Sequence, residues 1–110
     1  MATTTYNVLG QSAPSATTNT DVYTVPAATQ AVISTIAIAN RAATASTFRV
    51  AIRPTGTAIA NLHYIAYDVP IAANDTTNLT LGVTLGATDV VTVYCGSANF
   101  SVSVFGSQIA

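Results

Sequence analysis

The chain has 110 residues, enough for one domain with a single core and too few for an independent second unit. Only 6% of them are charged and 50% are apolar, against about 25% charged in an ordinary soluble domain. Three Arg and four Asp, with no Lys or Glu, exclude the clustered cations of a nucleic-acid binder, and no apolar run reaches the roughly 18 residues of a membrane helix. What remains is a surface of Thr, Ala, Ser and Asn with little charge to hold copies apart, which predicts an assembly subunit.

The chain opens on Met1 to Thr5, with neither a basic n-region nor an apolar h-region, which predicts no signal peptide and synthesis in a cytoplasm. Tyr6, Val8 and Leu9 form a short β-prone piece, and Gly10 to Thr20 is polar and turn-rich. Residues 1–20 therefore read as an N-terminal arm or edge strand plus loop, which docks on its own subunit or adds a strand to a neighbour. Residues 21–110 read as a β-sandwich domain. Asp21 to Val25 is a β-rich run stopped by Pro26, and Val32 to Asn40 is a second whose imperfect alternation fits cover on both faces or a bulge.

From Thr47 to Pro54, Phe48, Val50 and Ile52 alternate with Arg49, Ala51 and Arg53. This is a half-buried strand with two Arg on its outward face. At most a short helical turn is expected near Thr57 to Asn61. The run Leu62 to Val69 holds His63, Tyr64 and Tyr67 and stops at Pro70. Thr77, Leu79, Leu81, Val83 and Leu85 alternate with Asn78, Thr80, Gly82 and Thr84. Val90 to Cys95 is almost wholly apolar, and Phe100, Val102 and Val104 alternate with Ser101 and Ser103. Turn signals about 8–12 residues apart separate these runs, so the fold class is all-β. The expected architecture is one antiparallel β-sandwich or jelly roll of about eight short strands.

Catalytic and metal chemistry finds few residues to work with. His63 is the only histidine and no Gly-x-Ser-x-Gly elbow accompanies it, so a triad with Ser or Cys95 and an Asp is not expected. Cys95 has no cysteine partner and lies in an apolar strand, the setting of a buried free thiol. One His, one Cys and scattered Asp lack the spacing of a zinc or calcium site, and Asp68 with Asp75 is the nearest approach to a glycosidase pair. No catalytic residue, cofactor or metal is expected. His63, Tyr64 and Tyr67 form the candidate ligand platform, a stacking surface for a sugar, although Tyr also suits a core or subunit boundary. Tyr6, Val8, Leu9, Arg49 and Arg53 are the candidate assembly contacts; the two Arg are expected to pair with Asp of the same subunit. The three Asn-x-Ser/Thr matches, at Asn74, Asn78 and Asn99, read as chance in a Thr-rich chain.

Several phrases carry a family resemblance: Val8-Leu9-Gly10-Gln11-Ser12-Ala13-Pro14, Val22-Tyr23-Thr24-Val25-Pro26-Ala27, Ile38-Ala39-Asn40-Arg41, Thr47-Phe48-Arg49-Val50-Ala51-Ile52 and Ala87-Thr88-Asp89-Val90-Val91-Thr92-Val93-Tyr94. Together they resemble small virion structural proteins of tailed phages, particularly phages of cyanobacteria and other aquatic bacteria. The resemblance covers nearly the whole chain and rests on strand and turn phrases, so it implies no catalytic residue. Cys95 departs from it, standing where a small residue such as Ala is expected. The resemblance implies a non-enzymatic protein of the virion, assembled in the host cytoplasm. The leading expectation is a head decoration or cement protein on the outside of the capsid lattice, a symmetric homo-oligomer with a trimer as the expected order. Its partners would be itself and the major capsid protein, with no nucleic acid and no membrane. The alternative is a tail-associated fibre, collar or baseplate component that contacts other tail proteins and binds carbohydrate through His63, Tyr64 and Tyr67. A small enzyme using His63 ranks last.

Overall fold

A computed structural model describes residues 3–110, apart from the side chain of Leu81; Met1 and Ala2 lie outside the described residues. Eight strands follow one another: β1 Thr4–Ser12, β2 Thr20–Thr24, β3 Gln30–Asn40, β4 Ser46–Arg53, β5 Tyr64–Ile71, β6 Thr76–Leu85, β7 Val90–Cys95 and β8 Phe100–Ile109. They form two four-stranded antiparallel sheets, ordered β1-β8-β3-β6 (sheet A) and β2-β7-β4-β5 (sheet B). The pairs β1 with β8, β2 with β7, β3 with β6 and β4 with β5 are those of one long antiparallel hairpin. Rolling that hairpin up brings β8 beside β3 and β7 beside β4. The product is the eight-stranded jelly roll, which agrees with the all-β expectation.

Alternation explains which side chains fill the space between the sheets. Ile33, Ile36 and Ile38 from β3 and Phe100, Val102 and Val104 from β8 face Phe48 and Val50 from β4 and Val91, Val93 and Cys95 from β7, all buried. Tyr23 of β2 crosses this core and donates its hydroxyl hydrogen bond to Gln108 Oε1 of β8, joining the two sheets with a polar contact. Buried Asn40 closes one end. Its Nδ2 donates to the carbonyls of Thr44, Ile71 and Ala72, and its Oδ1 accepts from Ala42 N–H, so the turns after β3 and β5 hang on one side chain.

Bulges account for the imperfect runs. In β3 the register shifts between Ile33 and Thr35 against both β6 and β8. Opposite that shift are Gly82 at φ +64° and Gly106, where a Cβ would run into the Val32 carbonyl. β7 is interior to its sheet and nearly all buried, which is why its sequence does not alternate.

Three expectations change in detail. Of the two N-terminal alternatives the structure has the edge strand, paired with β8 of the same chain, and it runs on through Gly10, Gln11 and Ser12, which read as loop by sequence, because β8 supplies pairing partners as far as Val102. Pro70 does not end β5; on an edge strand its missing N–H faces away from the ladder and pairing continues to Ile71. The helical turn near Thr57 to Asn61 is replaced by two 3₁₀ turns flanking it, Pro54–Gly56 and Asn61–His63. Pro54 presets the first, and the His63 side chain closes the second.

Candidate functional site

The outward face of sheet B holds the ion pairs. β4 carries Arg49 and Arg53 on this face, and each meets an Asp of the same chain. Arg49 Nε lies 2.6 Å from Asp68 Oδ1, with Nη2 donating to Oδ2, a two-point fork. A bulge in β5 makes this possible: Asp68 adopts φ 49°, and the register shift opposite Phe48 and Val50 leaves Tyr67 and Asp68 both exposed. Tyr67 stacks on the Arg49 guanidinium from one side at 4.2 Å, and Tyr94 from β7 stacks at 4.4 Å. The Asp68 hydrogen bond, together with nearby negative charge, holds the Arg49 pKa above its ordinary value.

Arg53 Nη2 donates to Asp21 Oδ1 at 2.8 Å and Nε donates to Thr92 Oγ1, whose own hydroxyl donates to Asp21. Its Nη1 donates to the carbonyls of Gly56 and Thr57 and so ties down the connection between β4 and β5. Both candidate assembly arginines are thus paired inside the subunit. Arg41 sits in the turn after β3 and donates to Ser101 Oγ and the Phe100 carbonyl.

The expected ligand platform divides. His63 is buried, and its Nδ1 accepts the Ala60 N–H at 3.0 Å, so the imidazole serves the 3₁₀ turn. Tyr64 and Tyr67 do meet, edge to face with ring centroids 4.9 Å apart, beside an open concavity of about 440 Å³ that also includes Asn61. Asn61 had no local signal in the sequence, since only the 3₁₀ turn that precedes β5 brings it to the rings. Asp68 is engaged with Arg49, Asp75 accepts the Thr76 N–H, and Asp89 accepts from Thr55 and Gly86 N–H groups in a turn. Cys95 is fully buried and burial pushes its thiol up to about 11, the inert form at neutral pH. Among the described residues, no group of three or more His, Cys, Asp or Glu could hold a metal ion, and no helix is long and apolar enough to cross a membrane.

Sheet A has the opposite surface. None of its four strands contains a charged residue. Register aligns Tyr6 with Ser107 and Val32, Val8 with Phe105, and Thr4 with Ile109 and Gln30. Tyr6, Val8, Val32, Phe105 and Ile109 are all exposed and form one outward patch. Leu9 is different: alternation after outward Val8 points it inward against the core. Of the expected N-terminal contacts, Tyr6 and Val8 remain on the surface. Phe105 and Ile109 were detectable in principle, because they continue the parity of outward Ser101 and Ser103. Comparison of the chain with family models, with curated proteins and with solved structures found no match.

Proposed function

We propose that this chain is a non-enzymatic structural protein of a tailed-phage virion, a head decoration or cement protein that binds the outside of the capsid lattice as a symmetric homo-oligomer. The observation that carries the reading is the charge-free sheet A, with five large apolar side chains on its outward face. Such a face packs against a protein surface without stripping water from Lys or Glu, which lowers the cost of association. The jelly roll is one of the architectures on which capsid and lectin domains are built, though fold alone fixes no function. The sequence resemblance to tailed-phage virion proteins supplies the particle.

Stoichiometric mass spectrometry of purified particles, normalised to the major capsid protein, tests this. A ratio near one copy per capsid subunit supports lattice-wide decoration, and absence from particles overturns the virion reading. A tail-associated component with an adhesin role is the second reading, favoured by the concavity at Asn61, Tyr64 and Tyr67. It requires about a dozen copies or fewer per particle, as the symmetry of a tail dictates. It also requires glycan binding that Tyr67→Ala abolishes.

A further inference from the structure

The outward face of sheet A combines a projection and a depression. Tyr6 stands out from β1, 83% exposed. One side of its ring walls an open hollow of about 330 Å³ whose other walls include Val32, Ser34, Phe105 and Ser107, so that two copies related by a two-fold axis would bring both Tyr6 rings and both hollows together. The bulge in β3 and the side-chain-free Gly106 shape that hollow: Ser34 donates its hydroxyl to the Phe105 carbonyl, and the backbone there approaches too closely for a Cβ. A knob and a hole on one face are the requirement for self-complementarity, in which residue i meets j and j meets i.

We propose that this face is the contact surface for a second copy of the same chain, joined face to face about a two-fold axis with Tyr6 of each copy entering the hollow of the other. This rests on the oligomeric part of the proposed function and names its contact. Two arguments select a second copy as the occupant. Charge is the first: a surface with no charged residue in any strand meets its own copy without like-charge repulsion, whereas a charged partner would lose hydration and gain no counter-ion. Area is the second. Four strands about 4.8 Å apart and nine residues at about 3.3 Å give a face of roughly 19 by 30 Å, or roughly 570 Å² in projection. Side-chain relief brings this close to the 800 Å² or so per partner of a standard interface. An isologous contact of this kind closes at two copies, in place of the trimer expected from the sequence.

Sedimentation equilibrium of the isolated full chain near 10 μM, a concentration at which micromolar dimers persist, reads the contact directly. Wild type is expected to be a dimer whose dissociation constant does not rise with added salt, because no ion pair holds it. Tyr6→Asp and Val32→Asp each place a charge in the contact and are expected to raise the dissociation constant at least about 30-fold. Leu62→Asp, equally exposed but in the 3₁₀ turn outside sheet A, is expected to leave it unchanged. Measured well below the wild-type dissociation constant, where every chain is a monomer, all three should unfold at the wild-type temperature by circular dichroism, which separates lost contact from lost fold. A monomeric wild type, or a dimer that survives both face variants, overturns the proposal. A monomer found at high copy number on particles would overturn the dimer and leave the decoration role standing; a dimer absent from particles would do the reverse.

Discussion

Sheet A and sheet B share one core and present opposite surfaces. Four of the chain's seven charged residues, Asp21, Arg49, Arg53 and Asp68, lie on strands of sheet B, and the other three, Arg41, Asp75 and Asp89, lie in turns. On sheet B Arg49 reaches Asp68 on the adjacent β5, Arg53 reaches across β7 to Asp21 on β2, and aromatic or hydroxyl side chains complete the contacts. That surface satisfies itself. On sheet A the outward polar side chains are uncharged, some of them bonded within the subunit, and the exposed Tyr6, Val8, Val32, Phe105 and Ile109 lie among them. The lesson is that a low overall charge is not spread evenly: one face is neutral because its charges pair, the other because its strands carry none.

The comparison breaks most severely if sheet A loses its edge. Deleting residues 1–20 removes β1, which pairs with β8 from Thr4 to Ser12, and is expected to abolish cooperative thermal unfolding instead of leaving a folded domain. A sharp calorimetric transition in the truncated chain would show that β1 is dispensable. Next in size is Gly106→Ala, whose new methyl meets the Val32 carbonyl across the β3 bulge. It should cost about 2–4 kcal/mol by urea unfolding, from forced backbone movement. Gly82→Ala faces open space and strains only its positive φ, so it should cost about 1 kcal/mol.

Sheet B is probed by Arg53→Ala. Loss of the guanidinium leaves the exposed Gly56 and Thr57 carbonyls and Asp21 to water, and about 1 kcal/mol is expected from the charged hydrogen bonds removed. Arg49→Ala should shift the urea midpoint less, because its pair with exposed Asp68 is more open to water. The smallest effect is on the alkaline side. An unfolded chain ionises the Cys95 thiol near its ordinary value of 9.0, while burial keeps it protonated to about 11 in the fold. The unfolded state therefore binds fewer protons in that window, and stability falls as pH rises from 9 to 11. The melting temperature of wild type minus that of Cys95→Ala should be constant below pH 9 and fall between pH 9 and 11. An unchanged difference would place the thiol in contact with water.

Much of the fold was legible from alternation alone. Phe48, Val50 and Ile52 against Arg49 and Arg53, and Phe100, Val102 and Val104 against Ser101 and Ser103, mark which side faces the core wherever a strand is covered on one face only. The expectation that the two Arg pair within the subunit also agrees with the structure, since charge near balance on few residues favours internal partners. Legibility ended at the bulges. Imperfect alternation in Val32 to Asn40 allowed a bulge without placing it, and Asp68 at φ 49° and the register shift around Ser34 each turn the pattern over at a point that no residue type marks. His63 was misplaced for the same reason, because a turn captured it that the residues around it do not signal.

By itself the sequence determined a small all-β domain, its approximate strand boundaries, a core of Val, Ile and Phe, and a surface short of charge. These follow from local period and composition, which each residue carries wherever the chain goes. Only the tertiary structure decided which strands share a sheet, and therefore that the charges gather on one side and the exposed Tyr6, Val8, Val32, Phe105 and Ile109 on the other. Those five residues are spread along nearly the whole chain, from Tyr6 to Ile109. Pairing of β1 with β8 and of β8 with β3 brings them together, and such long-range pairing depends on the whole rolled hairpin closing at once.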